Sequence, residues 1–170
     1  MFPIAFGVML GVYRATGDKN SVLKVAVLSA VIKLCDFFMP VGLPQKIVNP
    51  AVAILLEGLV VWGAMALKER GKNAVLCFAL TAFAWRGLFL VYQATHIAIR
   101  LGWNTYFEEG MGETALFLFG MGAINAVLVA GIAIFDLRRK DEGAGWKKIQ
   151  GSPVLGLAIF AVALLFEMVW

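Results

Sequence analysis

The sequence predicts an all-α fold: a polytopic integral membrane bundle of about six transmembrane helices, and three observations predict it. Of 170 residues, 61% are hydrophobic and only 15% charged, with a mean hydropathy of +0.84. A soluble domain of this size has no way to hide so much apolar surface. The apolar residues gather into runs close to the roughly 20 residues that cross hydrocarbon. Those runs are continuous, whereas a membrane barrel alternates weakly over about ten residues, so strands are not expected.

Run one, 1–13, is short for a full span and reads as a half-span or as part of a longer natural helix. It has no basic leader and no small-x-small cleavage site, so no cleavable signal peptide is expected. The polar turn Ala15-Thr16-Gly17-Asp18-Lys19-Asn20 closes it. Run two covers 21–39. The segment from Pro40 to Pro50 is rich in proline and is expected to break any helix before run three, 47–67. Lys68-Glu69-Arg70-Gly71-Lys72-Asn73 is a tight turn into run four, 73–99. Run five is 115–136. The charged loop after Asp136 re-enters at Ser152-Pro153, a helix cap followed by proline at the first helical position, to begin run six, 152–170. No connection is long enough for a soluble domain, so 1–170 is one transmembrane domain.

The net charge is +4 and the pI near 9.2. The basic residues are not a nucleic-acid patch, because they sit in short loops between apolar runs. Connections one, three and five hold Arg14, Lys19 and Lys24; Lys68, Arg70 and Lys72; and Arg138, Arg139, Lys140, Lys147 and Lys148. Connections two and four hold only Lys46 and Arg100. The positive-inside rule then places the odd connections in the cytoplasm and both termini outside, in a multi-pass protein of the cell's inner (plasma) membrane.

Lys33, Glu57 and Arg86 each lie inside a different apolar run. A charge there costs at least ~2.5–3.5 kcal/mol, so such residues face a bundle interior or a watered cavity. At ~1.5 Å per residue, Lys33 and Arg86 lie ~18–20 Å from the inner ends of their runs, and Glu57 and Asn125 ~15 Å below the outer ends of theirs. In a core ~30 Å thick, all four share a layer between the midplane and the outer third. Helical spacing adds Ser29 and Asp36 to the face of Lys33, Asn49 and Ala53 to that of Glu57, and Gln93, then His96, to that of Arg86. Glu57 is expected to pair with Arg86 or Lys33.

Two readings follow. Lys33, Asn49, Glu57, Arg86, Gln93, His96 and Asn125 line a cavity for a small polar or charged solute, or the buried charges only lock helices together in a non-catalytic scaffold or assembly subunit. The surplus of polar groups over one locking pair favours the cavity. Gly7 and Gly11, at small-xxx-small spacing, let helices approach closely, either within the chain or at a partner subunit. Gly120, Gly122, Ala126, Ala130 and Gly131 give run five a similarly slim surface. Glu108, Glu109 and Glu113, beside Trp103, Tyr106 and Phe107, read as an interfacial, solvated stretch. Cys35 and Cys77 read as small buried apolar residues, placed too far apart in depth for a disulfide. A lone His96 makes no metal site, and no nucleophile pair, Walker loop, HExxH or dinucleotide turn appears, so neither catalysis nor a cofactor is expected.

The stretch Lys46-Ile47-Val48-Asn49-Pro50-Ala51-Val52-Ala53-Ile54-Leu55-Leu56-Glu57-Gly58, the chain length and the glycine-spaced first helix resemble small bacterial membrane proteins like the substrate-binding S components of energy-coupling-factor transporters. The resemblance implies a six-helix bundle that binds a vitamin, precursor or metal near its outer face and docks on a transmembrane coupling subunit served by ATPases. It also implies that Gly7 and Gly11 stand where that family contacts the coupling subunit. The loop charges differ from the family in one respect, since S components keep both termini inside.

Overall fold

Continuous apolar runs become helices here, and local turn chemistry sets where each one stops. In a computed structural model the described residues are 2–38, 43–99 and 105–141, with side chains described to Leu137; all the regular structure among them is helical. The chain divides into one unit, Met1–Asp136, and a second, Leu137–Trp170, of which only the last turn of the final helix is described. Run six, with its Ser152-Pro153 start, lies outside the described residues, as do Arg100, Trp103 and the side chains of the basic fifth connection.

Helix α1 (Phe2–Thr16) runs three residues beyond its apolar stretch, and Gly17, at φ +69°, supplies the left-handed residue that ends it. The Gly17 N–H donates to the Tyr13 carbonyl at 2.8 Å. Helix α2 (Asn20–Leu34) stops short of the expected 39, because Cys35–Phe38 tighten into a 3₁₀ turn. It is therefore not among the helices long and apolar enough to cross a membrane, which are α3 (Gln45–Glu69), α4 (Ala74–Ala98) and the helical stretch Met111–Leu137.

Helix α3 begins at Gln45, two residues before the expected start of run three. Pro44 immediately precedes its first residue, and Pro50 lies inside it, in the second turn. A proline so near the start deprives only the Lys46 carbonyl of its donor, close to where water or headgroups can replace it. Gly71, at φ +78°, makes the turn to α4, where the Asn73 side chain accepts from the Leu76 N–H at 3.1 Å as an N-cap. Short helices α5 (Tyr106–Glu109) and α6 (Met111–Ala115) flank Gly110, at φ +111°. A π turn, Leu116–Gly120, then joins α6 to α7 (Met121–Asp141).

Helix α3 packs between α2 and α4, and α1 lies against α2 and α3. The tightest approach is not the one the glycine pattern pointed to. A Cβ added at Gly7 or Gly11 meets nothing within 4 Å, so no described helix packs closely there, whereas one added at Gly58 falls 2.2 Å from the Ala26 Cβ. Backbones of α2 and α3 meet at that point. An aromatic seam joins α1 to α4 and the π turn: Phe6 meets Phe78 edge-on at 5.2 Å, Phe2 meets Trp85 at 5.8 Å, and Trp85 meets Phe117 edge-on at 5.9 Å.

The outside is as apolar as the inside. Val27, Leu28, Val31 and Ile32 on α2, Leu80, Leu88 and Val91 on α4, and Ile124, Val127 and Leu128 on α7 are all exposed. Soluble monomers rarely show so much contiguous apolar surface, and lipid as solvent accounts for it. Cys35 is also exposed and Cys77 half-buried, both free, which corrects the expectation that both are buried.

Polar residues gather at the two ends. At one, Arg14 pairs with Asp136 at 2.7 Å, Lys19 pairs with Glu69, and Trp62 Nε1 donates to Asn20 at 3.1 Å. Connections one and three therefore share this end with the far end of α7. Asn49, Gln93, Thr105 and Tyr106 meet at the other.

Candidate functional site

The expected polar layer is only partly assembled. Arg86 is 4% exposed, and its guanidinium is held on several sides. Nη1 donates to the Ala82 carbonyl at 2.8 Å, one turn back on α4. With the Asn125 amide oriented as hydrogen bonding requires, its oxygen accepts from Nη1 at 3.2 Å and from Nη2 at 2.5 Å. The guanidinium carbon lies 4.5 Å from the Trp85 ring centroid and 5.4 Å from that of Phe117. Arg86 thus ties α4 to α7 through a neutral amide and two aromatic faces.

Glu57 and Lys33 do not join this pair. Lys33 bonds Asp36 at 2.8 Å, three residues along its own segment. Such a local partner is reached at little entropic cost. Among the described residues no cation comes within 4 Å of the Glu57 carboxylate. It lies half-buried on α3, within electrostatic reach of Arg86. The expected Glu57 ion pair does not form among the described residues, although Arg86 Nε is left without a partner.

The other three predicted residues lead to a cleft. The Asn49 amide oxygen accepts from the Tyr92 hydroxyl at 3.2 Å, which links α3 to α4. Gln93 is buried, and its oxygen accepts from the Tyr106 N–H at 3.2 Å, which anchors α5 onto α4. His96, also buried, meets the Tyr92 ring edge-on at 4.4 Å. Beside Asn49 and Gln93, though not lined by His96, opens a cleft of about 380 Å³. Asn49, Pro50 and Ala53 line it from α3, and Trp85, Phe89 and Gln93 from α4. Thr105, Tyr106, Glu109 and Phe117 close its remaining sides.

Tyr106 and Phe117 stack at 4.2 Å with an 18° interplanar angle, so one wall is a double aromatic layer. Burial raises the Tyr106 phenol above its ordinary value of 10.0, and Glu109 and Glu113 push the same way against Arg86. The start of α5 has capping-box spacing: the Glu108 carboxylate accepts from the Thr105 N–H at 3.1 Å, and the Glu108 N–H donates to the Thr105 carbonyl at 3.1 Å. The Thr105 hydroxyl itself makes no hydrogen bond, and neither does the buried Trp85 Nε1–H.

Buried polar groups left without a partner are rare and call for an explanation. Asn49 and Gln93, on the cleft lining, are a separate case. Their oxygens are used, but their NH₂ groups bond nothing among the described residues. The cleft is therefore an aromatic-walled recess with more donors than the protein consumes. Among the described residues no group of three or more His, Cys, Asp or Glu side chains is placed to hold a metal.

Sequence reasoning found Asn49 and Gln93 but missed Trp85, Phe89, Thr105, Glu109 and Phe117 as a set. An aromatic residue in an apolar run carries no distinguishing mark. Thr105-x-x-Glu108 was a readable capping signature, and it fixes the short helix that brings Tyr106 and Glu109 over the cleft.

No family model, no curated protein and no solved structure matches this chain.

Proposed function

We propose that this chain is a solute-binding subunit or small transporter, multi-pass in the inner membrane, whose site is the cleft among α3, α4, α5 and the π turn. The observation that carries this reading is the pair of amide NH₂ groups, of Asn49 and Gln93, on the cleft lining that no described residue bonds. A purely structural recess tends to close over its polar groups, whereas a binding site keeps them for an occupant. The size is right as well, since small-molecule pockets begin at roughly 300 Å³. The basic connections one and three meet at the opposite end, which on the positive-inside argument makes the cleft outward-facing. On the S-component resemblance, a coupling subunit with ATPases is the proposed partner, and Gly7 and Gly11, which no described helix covers, are its proposed contact line.

A second reading has its own observation. Arg86, Asn125, Trp85 and Phe117 tie α4 to α7, as a non-catalytic scaffold or assembly subunit requires. A thermal-shift screen of the purified full chain against vitamins, their precursors and divalent metals separates the two. Ala53→Trp, which fills the cleft, is expected to abolish any hit. Hits that survive Ala53→Trp, or a screen without hits, favour the scaffold.

A further inference from the structure

The cleft's donors also bear on the class of its occupant. Resting on the binding reading above, we propose that the cleft takes a flat heteroaromatic solute whose buried end is uncharged and carries hydrogen-bond acceptors, such as ring nitrogens or carbonyls. Three independent features lead there.

The first is the count of unspent groups. Tyr92 and the Tyr106 N–H occupy the oxygens of Asn49 and Gln93, so each amide presents only its NH₂. Trp85 Nε1, a donor only, and the Thr105 hydroxyl are buried behind the cleft surface without partners. The two amides lie on the cleft lining, whereas the deeper pair sits behind it with no accessible surface and marks only how dry the wall is. Both amide groups on the lining can only donate. An occupant rich in donors would leave them unmatched, which is how a site built to hydrogen-bond one partner rejects the wrong one.

Shape supplies the second feature. Trp85, Phe89, Tyr106 and Phe117 offer ring surfaces, and offset or edge-on ring packing rewards a planar guest. A volume of about 380 Å³, near the lower limit of small-molecule pockets, suits one or two fused rings rather than an extended chain.

The third feature concerns charge. Arg86 already lies over the Trp85 and Phe117 rings, at 4.5 and 5.4 Å. A cation on one face of a ring draws on the same quadrupole that would attract a second on the other, and the two cations repel. The walls are therefore poor hosts for a cationic head. Glu109 is exposed, so any positive group on the solute belongs there, in water.

Gln93→Glu tests this directly, because it keeps the oxygen that accepts from the Tyr106 N–H and turns the free donor into an acceptor. Asn49→Asp does the same on α3. The full chain in nanodiscs is titrated calorimetrically with 1,5-naphthyridine (flat, acceptors only), indole (flat, one donor), benzamidine (flat, cationic donor) and D-ribose (polar, not flat). Wild type is expected to prefer 1,5-naphthyridine. Each substitution should weaken it by about tenfold, the value of one hydrogen bond of ordinary strength, and should strengthen benzamidine. If Gln93→Glu fails to fold, Asn49→Asp carries the same prediction.

Tighter binding of indole, benzamidine or ribose to wild type, abolished by Ala53→Trp, overturns the solute class and leaves the binding site standing. So does a cleft-dependent hit from the wider screen with no binding of 1,5-naphthyridine. Absence of any ligand sensitive to Ala53→Trp overturns both readings.

Discussion

Gly58→Ala is the most direct test of the packing that holds α2 against α3. The added Cβ lies 2.2 Å from the Ala26 Cβ, where ordinary carbon contacts need about 3.5–4.0 Å, so the helices must part by ~1.5 Å. Neither Cβ has a rotamer to escape into, because each is fixed to its backbone. Overpacking of this kind costs ~1–3 kcal/mol, and rigid partners argue for the upper end. Alanine returns ~1 kcal/mol through its better helix propensity, leaving a net loss of ~2 kcal/mol. Ala26→Gly alone should lose ~1 kcal/mol for the converse reason. Combined with Gly58→Ala, it removes the clash and cancels the propensity terms, so the double variant returns close to wild type. The coupling between the two sites is then ~3 kcal/mol, at the top of the range for residues in contact. Unfolding of the reconstituted protein by added SDS, followed by tryptophan fluorescence, reads all four corners of the cycle. Wild-type stability in Gly58→Ala, or a double variant no better than the worse single, would mean that α2 and α3 do not meet at these residues.

Asn125→Leu removes the amide oxygen from a buried guanidinium and should cost ~2–3 kcal/mol, with Arg86→Met in the same chain restoring most of it; additive losses in the same SDS unfolding would refute the lock. Glu57→Gln should unfold at or above the wild-type midpoint, since no described cation is stranded by it, and a loss beyond ~1 kcal/mol would show a pairing that the geometry lacks. Tyr106, its proton held more tightly folded than unfolded, contributes stability that is intact below pH 10.0 and is lost as pH rises toward the higher folded value. Ultraviolet titration should show this tyrosine ionising late, and Glu109→Gln should bring it earlier; an unchanged titration curve would break the link.

How much of this was readable in advance follows from what each residue's signal depends on. Runs three, four and five became helices close to their expected bounds, because a continuous apolar stretch in lipid has no better way to satisfy its backbone. The depth arithmetic brought Arg86 and Asn125 to one level correctly, since rise per residue is nearly invariant. It could not foresee the partners of Glu57 and Lys33, because depth says nothing about pairing. Lys33 and Asp36 were placed on one face, yet their three-residue separation was not read as a pair. The early stop of α2 at a 3₁₀ turn carries no mark in the apolar run itself. The cleft was hidden for a different reason: its walls are aromatic, and in this composition aromatic residues are background.

The π turn at Leu116–Gly120 has a consequence for angular phase. Asn125 follows Phe117 by eight positions, which in a regular helix at ~100° per residue would leave the two side chains ~80° apart. A π turn absorbs about one residue, so the effective interval is about seven and the mismatch shrinks to ~20°. Both side chains can therefore address Arg86 from one line along the helix, Phe117 with its ring and Asn125 with its amide. Rewinding the same sequence as a regular helix would swing one of them off by ~100°, whereas deleting one residue between 116 and 120 would straighten the helix with both still in phase. The wide turn thus holds a one-residue surplus of chain at the rim of the cleft and keeps it from reaching the helix-locking contact below.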